Sequence, residues 1–450
     1  MKTRIHDYQN KNVIMNKIIL KTTLVAFLLL TFSCSKDDTL EQEQQQVTPP
    51  ATVTNMSPLS GPKTTIVTFT GTNFGTDINA VQVFFDGIEA EILSTTDTEI
   101  KTVVPPRAFF GDVTLVINGT TFTDFNFNYE IIDIQVSTFA GSDPGFADGN
   151  GTNAEFRSPI NMVLDTTGNL FVADAFAIRK ITPNGDVTTF AGRDEPGYAD
   201  GPGASAQFTS INGIATDSDN NLYIADSGNH KIRRITPSGI VSTLAGGDEG
   251  FADGTASEAQ FNAPAGIAID ATNTLYISDA RNHKIRKITS DGSVTTIAGG
   301  DEGFADGNAL NAQFNLPIGI TLNSENNFYI TDVLNHKIRK IDTNNQVTTI
   351  AGSTQGFTDG NGLNAQFDTP IRLAVDLLDN IYVADLLNHK IRKISTTGQV
   401  TTIAGSDQGF ADGTGTNAQF DGIRGLIVDA NFDIYVADFG NARIRKITQE

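Results

Sequence analysis

Several residue types and patterns are scarce in this chain, and each scarcity excludes something. The 450 residues include one cysteine, so no disulfide forms within the chain and its stability must come from packing. Tryptophan is absent, which weakens an interpretation as a sugar-stacking platform. Lysine and arginine number 31 against 52 aspartates and glutamates, and the net charge of −21 argues against nucleic acid and anionic membranes as partners.

The motifs of common catalytic sites are also missing from the sequence. It has no nucleophile elbow, no zinc-binding histidine pair, no phosphate-binding loop and no dinucleotide fingerprint. We therefore predict no catalytic residue, no metal ligand and no cofactor, and we favour a protein that is not an enzyme.

An apolar run near the N-terminus predicts an export signal. Two lysines precede the apolar residues 24–30, and a small residue precedes the single cysteine, Cys34. This order is typical of secretory signals, and the run is too short for a transmembrane helix. Met15 would begin a more regular signal than Met1, and both starts stay open.

The residues around Cys34 resemble those of bacterial lipoproteins. Residues Leu30–Ser33 form a loose lipobox, and Ser35–Asp38 are similar to the acidic tether that sends lipoproteins of the Bacteroidetes to the cell surface. The resemblance implies a signal peptide and a lipidated cysteine over residues 1–34, and an outer-membrane protein exposed at the cell surface. An ordinary cleaved signal with an incidental cysteine is the alternative. The polar residues 35–51 predict a disordered linker, because they cannot bury a core.

Residues 52–130 have the composition of a small β-sandwich. Strand-like runs rich in β-branched and aromatic residues alternate with turn residues, at 67–70, 81–85 and 113–117. The segments Pro58–Pro62 and Phe69–Gly75 resemble the IPT/TIG domain, which has an immunoglobulin-like fold. Such domains are commonly spacers or protein-contact modules, and we expect this one to lift the following domain off the membrane.

Residues 136–450 consist of six copies of one pattern. An aspartate in an A-D step, or its equivalent, recurs after 52 residues once and after 53 residues thereafter, and a second aspartate in a D-G step keeps the same intervals. A constant period this long predicts a stack or ring of identical supersecondary units. The first series is Asp174, Asp226, Asp279, Asp332, Asp385 and Asp438; the second is Asp148, Asp200, Asp253, Asp306, Asp359 and Asp412.

Each copy holds four strand candidates separated by turn residues, which predicts one blade of a β-propeller. In the third copy the candidates are 266–270, 274–278, 284–288 and 294–298. The strings N-H-K-I-R-K-I, V-T-T-I-A-G and L-Y-x-A-D resemble the NHL repeat. This resemblance implies a six-bladed β-propeller over residues 131–450, with extra residues between the fourth strand and the next first strand. The predicted fold class is all-β: an immunoglobulin-like β-sandwich followed by a six-bladed β-propeller.

The ends of the repeat region predict how the ring closes. The sixth copy stops after its third strand, at Glu450, and a surplus fourth strand at 136–140 precedes the first complete copy. We therefore expect the two ends to complete one blade together, because an open ring would leave strand edges unpaired.

We name the four strands of a blade a to d, from the central channel to the rim. The d-to-a and b-to-c loops then leave at one end, the upper face, and the a-to-b and c-to-d loops leave at the lower face. The long G-F-A-D-G loops and the A-D-x-x-N-H-K loops share the upper face, so we expect the functional site there.

Features present in every copy are interpreted as scaffold. We expect the D-G aspartates to cap turns, with a calcium-binding rim as the alternative. Histidines at one equivalent site on four blades are expected to stabilise the b-to-c turn, because a ring keeps them too far apart for one metal ion. Two aromatic series are expected to pin the long loops between blades, with exposed stacking rings as the alternative. These residues are His230, His283, His336 and His389; Phe146, Tyr198, Phe251, Phe304, Phe357 and Phe410; and Phe156, Phe208, Phe261, Phe314, Phe367 and Phe420.

Departures from the repeat are interpreted as functional. At the start of strand a, next to the central channel, some copies have polar side chains where the others have small or apolar ones: Asn161, Asn212, Arg372 and Arg424. Arg157 is close to this position in the first copy. All belong to contiguous blades, which predicts an off-centre pocket that binds a carboxylate or another anion. The alternative is that these arginines neutralise the acidic loops.

A second departure follows the A-D step in the last three copies, where apolar residues favour a protein-contact patch unless the long loops cover them. The sequence thus predicts a surface-tethered, non-catalytic binding protein. Its ligand would be a protein or an extracellular glycan, bound at the upper face. The protein would contact the membrane through its lipid anchor. A metal-assisted lyase or hydrolase at the channel mouth is the alternative, since similar propellers host such enzymes. The apolar residues are Val333, Leu334, Leu386, Leu387 and Phe439.

Overall fold

The structure is a computed structural model, and it describes residues 49–109 and 111–450. The expected signal peptide, the lipidation of Cys34 and most of the linker lie outside the described residues. In the described part, helices are limited to 3-10 turns of three residues, and none is long and apolar enough to cross a membrane. These turns are Ile78–Ala80, Gly151–Asn153, Ser227–Asn229, Ala280–Asn282, Val333–Asn335, Gly362–Asn364, Leu386–Asn388 and Gly415–Asn417.

The N-terminal part is the predicted sandwich. Its strands are β1 Thr52–Ser57, β2 Ser60–Gly61, β3 Ile66–Thr72, β4 Val81–Phe85, β5 Ile88–Ala90, β6 Ile92–Thr95, β7 Glu99–Val103, β8 Asp112–Ile117, β9 Thr120–Asn126 and β10 Asn128–Tyr129. They form sheets ordered β1-β3-β7-β6 and β5-β4-β8-β9, and β2 pairs with β10 in parallel. Alternate residues face inward and build a core with no exposed surface at Val67, Phe69, Val83, Ile100 and Leu115.

The C-terminal part is an antiparallel propeller that starts at β11 Ile134–Ala140. Blade I contains β12 Gly149–Asn150, β13 Pro159–Leu164, β14 Leu170–Asp174, β15 Ala177–Ile181 and β16 Asp186–Gly192. Blade II contains β17 Gly201–Pro202, β18 Ile211–Thr216, β19 Leu222–Asp226, β20 Lys231–Ile235 and β21 Ile240–Ala245. Blade III contains β22 Gly254–Thr255, β23 Pro264–Ile269, β24 Leu275–Asp279, β25 Lys284–Ile288 and β26 Ser293–Ala298.

The remaining blades repeat the same order. Blade IV contains β27 Gly307–Asn308, β28 Pro317–Leu322, β29 Phe328–Asp332, β30 Lys337–Ile341 and β31 Gln346–Ala351. Blade V contains β32 Gly360–Asn361, β33 Pro370–Val375, β34 Ile381–Asp385, β35 Lys390–Ile394 and β36 Gln399–Ala404. The last strands are β37 Gly413–Thr414, β38 Ile423–Val428, β39 Ile434–Asp438 and β40 Arg443–Gln449.

Blade VI is assembled from both ends of the repeat region, as expected from the sequence. Strands β38, β39 and β40 supply its a, b and c strands, and β11 pairs antiparallel with β40 as strand d, with Val136 opposite Ile447. The a strands pack against each other around the channel, and β38 contacts β13 of blade I, which closes the ring. All-β architecture with an immunoglobulin-like sandwich and a six-bladed propeller is thereby confirmed.

Each blade has a fifth strand that the sequence analysis did not predict. A two-residue strand in the long d-to-a loop pairs with strand d at the rim, as β22 does with β26 through Gly254 and Val294. The extra residues of this long repeat therefore fold back over the blade edge. The unpaired edge of strand d is partly covered by them, which limits edge-to-edge association.

The sandwich contacts the lower face of the propeller. Arg107 donates to Asp433 at 3.0 Å, and the ring of Phe109 lies 4.5 Å from that of Phe432. Both propeller residues belong to the turn between β38 and β39, an a-to-b turn. The upper face, which carries the long loops, points away from this contact.

Candidate functional site

The backbones of the a strands lie close together near the first residues of each strand, beside the channel. In four blades the third residue of strand a, or its equivalent, is glycine. A Cβ on Gly213 would lie 2.2 Å from the carbonyl oxygen of Ala265, and a Cβ on Gly266 would lie 2.2 Å from that of Ile318. Neighbouring backbones therefore meet at this level, and Asn161 of blade I occupies the same position in its strand.

Arg372 stands at the equivalent position of blade V, and its side chain crosses the channel. It is 5% exposed. Its guanidinium donates to the carbonyl oxygen of Ile318 on the adjacent blade at 3.2 Å, and to that of Asn212 on blade II. Blade II lies opposite blade V in a ring of six, so Arg372 spans the full width of the channel. Its Nε is buried and has no hydrogen-bond partner among the described residues.

Arg424 lies one residue earlier in strand a of blade VI, nearer the upper face. Its guanidinium carbon lies 3.9 Å from the centre of the Phe439 ring, so the flat face of the guanidinium is stacked. In the part of the chain that the structure describes, its Nε is buried and makes no hydrogen bond. Stacking orients the plane of the group, and none of its N–H groups donates to a described residue.

The two arginines form a pair of like charges. Burial first, and then the charge of Arg424, lowers the pKa of Arg372 to about 9, and burial lowers the pKa of Arg424. Both groups are positively charged at neutral pH, because the guanidinium of arginine is not deprotonated in proteins. No carboxylate among the described residues raises either pKa or pairs with either group. This part of the channel is thus positively charged without an internal counter-ion.

A cavity of about 230 Å³ occupies the channel and has Arg372 and Asn161 on its wall. The rest of its wall is formed by the a strands of all six blades and is mostly apolar. Small-molecule sites typically combine apolar walls with a few polar groups that fix orientation. The channel is a small cavity of the same kind, because most of its wall residues are apolar and Arg372 is the only charged wall residue among those described.

The predicted site residues are brought together only in part. Asn161, Asn212, Arg372 and Arg424 all lie at the opening of strand a, and Asn212 contributes its carbonyl oxygen to Arg372. Arg157 does not join them, since it is exposed and its Nε donates to Asp194 of the next long loop at 2.6 Å. For Arg157 the alternative holds: it neutralises an acidic loop.

The scaffold depends on an arginine that the sequence analysis passed over. Arg286 of blade III is fully buried and bonds Asp279 at 2.7 Å and Asp253 at 2.6 Å, between the rings of Phe251 and Phe261. The D-G aspartates therefore bind this arginine and do not cap turns, which corrects that expectation. The repeat itself carries the signal, because arginine, both aspartates and two aromatic residues recur together. The equivalent arginines are Arg179, Arg233, Arg339, Arg392 and Arg445.

The histidines also differ from expectation. His283 ends its b-to-c loop in a left-handed conformation, with φ of 58°, but its Nδ1 accepts a hydrogen bond from the backbone N–H of Leu316 at 3.2 Å. Leu316 belongs to the next blade, so the side chain links two blades and does not bond within its own turn. The same link is made by His230, His336 and His389.

The two aromatic series have different environments. The second series is fully buried and pins the long loops, as expected. In the first series, five rings stack on the scaffold arginines with one side and are 47% to 50% exposed; they are Tyr198, Phe251, Phe304, Phe357 and Phe410. On the b-to-c loops of the upper face, Leu334 and Leu387 are more than half exposed, whereas Val333 is buried. Part of the predicted apolar patch is therefore accessible.

Comparisons with known proteins account for both parts of the chain. The IPT/TIG domain model matches residues 51–135, and the NHL repeat model matches residues 208–235 and 261–288. The chain carries an IPT/TIG domain and NHL repeats. The two NHL matches run through strands a, b and c of blades II and III, which confirms the resemblance drawn from the repeat.

Curated relatives share the NHL part. Protein SUPPRESSOR OF QUENCHING 1, chloroplastic, from Arabidopsis thaliana is 30% identical over 279 residues, which cover 57% of this chain and 26% of that protein. NHL repeat-containing protein 2 from Bos taurus is 28% identical over 340 residues, which cover 65% of this chain and 46% of that protein. The chain thus spans less than half the length of either relative.

Solved structures match over a larger share of the chain. A protein of unknown function from Bacteroides thetaiotaomicron VPI-5482 aligns with a TM-score of 0.62 and 21% identity, over 89% of this chain and 98% of that one. An auxiliary nutrient binding protein from the same organism aligns with a TM-score of 0.56 and 20% identity, with the same coverage. A second one, from Bacteroides ovatus ATCC 8483, has a TM-score of 0.56, 19% identity and the same coverage. At these identities the likeness establishes the fold.

Proposed function

We propose that this protein is a lipid-anchored protein of the outer-membrane surface that binds a protein or an extracellular glycan at the upper face of its propeller, without catalysis. The observation that carries the proposal is the contact of the sandwich with the lower face, through Arg107 and Asp433. The long loops and the b-to-c loops, which carry the exposed side chains of Leu334 and Leu387, are thereby left free to meet a ligand. The anchor would be Cys34.

The site at the centre of this face supports the same function. Asn161, Asn212, Arg372 and Arg424 are the polar groups at the channel mouth, and Arg424 has N–H groups without a partner in the described chain. Two structural neighbours are auxiliary nutrient binding proteins, which supports a binding role. Among the described residues, no three histidine, cysteine, aspartate or glutamate side chains come together as metal ligands.

The proposal is tested with the chain from residue 35 onward, screened against glycan arrays and proteins of the cell surface. The variant Leu334→Asp with Leu387→Asp places two charges on the apolar part of the upper face, and we expect it to weaken binding of the identified ligand at least about tenfold. The matched control is Leu377→Asp, because Leu377 is 64% exposed on a lower a-to-b turn.

The two variants separate a site from a general effect of added charge. If Leu377→Asp abolishes binding and the double variant binds like the parent, the upper face is not the ligand-binding face. The anchor is tested separately on intact cells, where Cys34→Ser should release the protein from the membrane fraction. A protein that stays membrane-bound after this change contradicts the lipid anchor.

A further inference from the structure

A buried arginine, Arg372, and a half-buried one, Arg424, lie at the channel without a counter-ion among the described residues. Removing a charge from water is strongly unfavourable unless an opposite charge or hydrogen bonds compensate it. All six scaffold arginines meet this requirement with two aspartates each, as Arg286 does with Asp279 and Asp253. Arg372 and Arg424 meet no carboxylate among the described residues, although the chain has 52 aspartates and glutamates.

The geometry points to a carboxylate-binding site at the upper mouth of the channel, formed by the N–H edge of Arg424 above Arg372. This inference deepens the proposed binding function by naming the chemistry of the ligand at the centre of the upper face. The ligand would be a molecule with a free carboxylate, such as a uronic acid or the C-terminus of a peptide.

The stacking of Arg424 favours a planar anion. Phe439 covers the face of the guanidinium at 3.9 Å, so the group can donate only from its edge. An edge of two parallel N–H groups matches the two oxygens of a carboxylate, which gives a bidentate bond. Arg372 adds a second positive charge beneath it, held in place by the carbonyls of Ile318 and Asn212.

The negative charges around the site favour a ligand with one negative charge over a ligand with several. The whole chain has a net charge of −21, and the upper loops bear carboxylates such as Glu249 and Glu302, whose side chains are more than half exposed. The repulsion that an anion meets on approach is proportional to its charge, so a doubly charged anion meets about twice the repulsion of a single carboxylate. The site should therefore prefer carboxylates to sulfate or phosphate.

The test uses the chain from residue 35 onward and titration calorimetry at low salt. The probes are galacturonate, a short peptide with a free C-terminus, the same peptide amidated, and sulfate. We expect one carboxylate probe to bind with a dissociation constant in the millimolar range or tighter, and the amidated peptide and sulfate to bind at least tenfold more weakly. Binding of galacturonate identifies a sugar acid as the source, and binding of the free-acid peptide identifies a peptide terminus.

Variants connect the binding to the arginines. Arg424→Gln should weaken carboxylate binding at least tenfold, and Arg372→Met should weaken it as well. Arg281→Gln is the matched control, because Arg281 is an exposed arginine on another b-to-c loop of the upper face, and it should bind like the parent. Thermal melting of each variant verifies folding, and Arg424→Gln keeps the test valid if Arg372→Met does not fold.

The inference is overturned if no carboxylate probe binds the parent, if sulfate binds as well as the carboxylates, or if Arg424→Gln binds like the parent. Its outcome is distinct from that of the proposed function. The variant Leu334→Asp with Leu387→Asp should still bind the small carboxylate, because these leucines lie on the outer b-to-c loops and Arg424 lies at the channel.

Discussion

At the scale of single residues, the repeat is organised around a buried arginine in each blade. Arg286 has no exposed surface, and its ion pair with Asp279 is fully enclosed. A buried pair of this kind is weak evidence for added stability, because both charges lose their hydration. The pair instead holds the parts of the blade in position, since the side chain of Arg286 contacts the end of strand b, the long loop and two aromatic rings.

We predict that Arg286→Met destabilises the protein by about 3–5 kcal/mol, because it leaves the carboxylate of Asp279 buried without its partner. Burial already raises the pKa of Asp279, opposed by its hydrogen bonds and by Arg286. Without Arg286 the folded state favours the protonated acid still more. The destabilisation should therefore be smaller at about pH 5 than at about pH 8, since stability tied to a raised pKa is lost as the pH rises.

Denaturant unfolding at both pH values measures this effect. Arg281→Met serves as the control, because Arg281 is exposed and belongs to the same blade. An equal loss of stability in the two variants, or a loss that grows as the pH falls, would show that the buried pair does not have the role assigned to it.

At the scale of elements, the histidines act between blades and not within loops. In blades II to V the b-to-c loop ends on a histidine with φ between 54° and 58°, and its Nδ1 accepts the backbone N–H of the next blade. Blade VI has Ala442 at this site, so the junction between the last and first blades lacks the link. The link therefore supplements blade packing at four of the six junctions.

We predict that His283→Ala costs about 1–3 kcal/mol, because it removes the acceptor of the partly buried backbone N–H of Leu316. His283→Asn is the control, because asparagine tolerates the left-handed backbone of this residue and its Oδ1 offers an acceptor close to the position of Nδ1. We expect His283→Asn to lose less stability than His283→Ala. Hydrogen exchange at Leu316 should become faster in His283→Ala, and protection equal to that of the parent would contradict an interblade bond.

The elements also show what the sequence can and cannot predict. The period of the repeat predicts the blades, and the four strand candidates of the third copy match β23 to β26 within about two residues. The expectation that the D-G aspartates cap turns was wrong, because the arginine that they bind instead depends on which side of strand c faces inward. The crossing of the channel by Arg372 depends on the width of a ring of six blades, which no local pattern encodes.

At the scale of the whole molecule, stability depends on the closure of the ring. Strand β11 comes before all the repeats in the chain, yet it forms strand d of the last blade beside β40. Val136 in this strand is 3% exposed and belongs to the core between blades V and VI. The contact between Arg107 and Asp433 lies on the same blade, so the sandwich and the closing strand meet the propeller at one junction.

We predict that Val136→Asp lowers the melting temperature by at least about 5 °C, because a charge buried in the closing strand costs several kcal/mol. Ser137→Asp is the matched control, since Ser137 is the next residue of β11 and is exposed. Deletion of residues 131–141 should have a larger effect than Val136→Asp, because it leaves the edge of β40 unpaired. Calorimetry of the three variants decides the question: a deletion variant that melts at the temperature of the parent means that the propeller is stable without its closing strand.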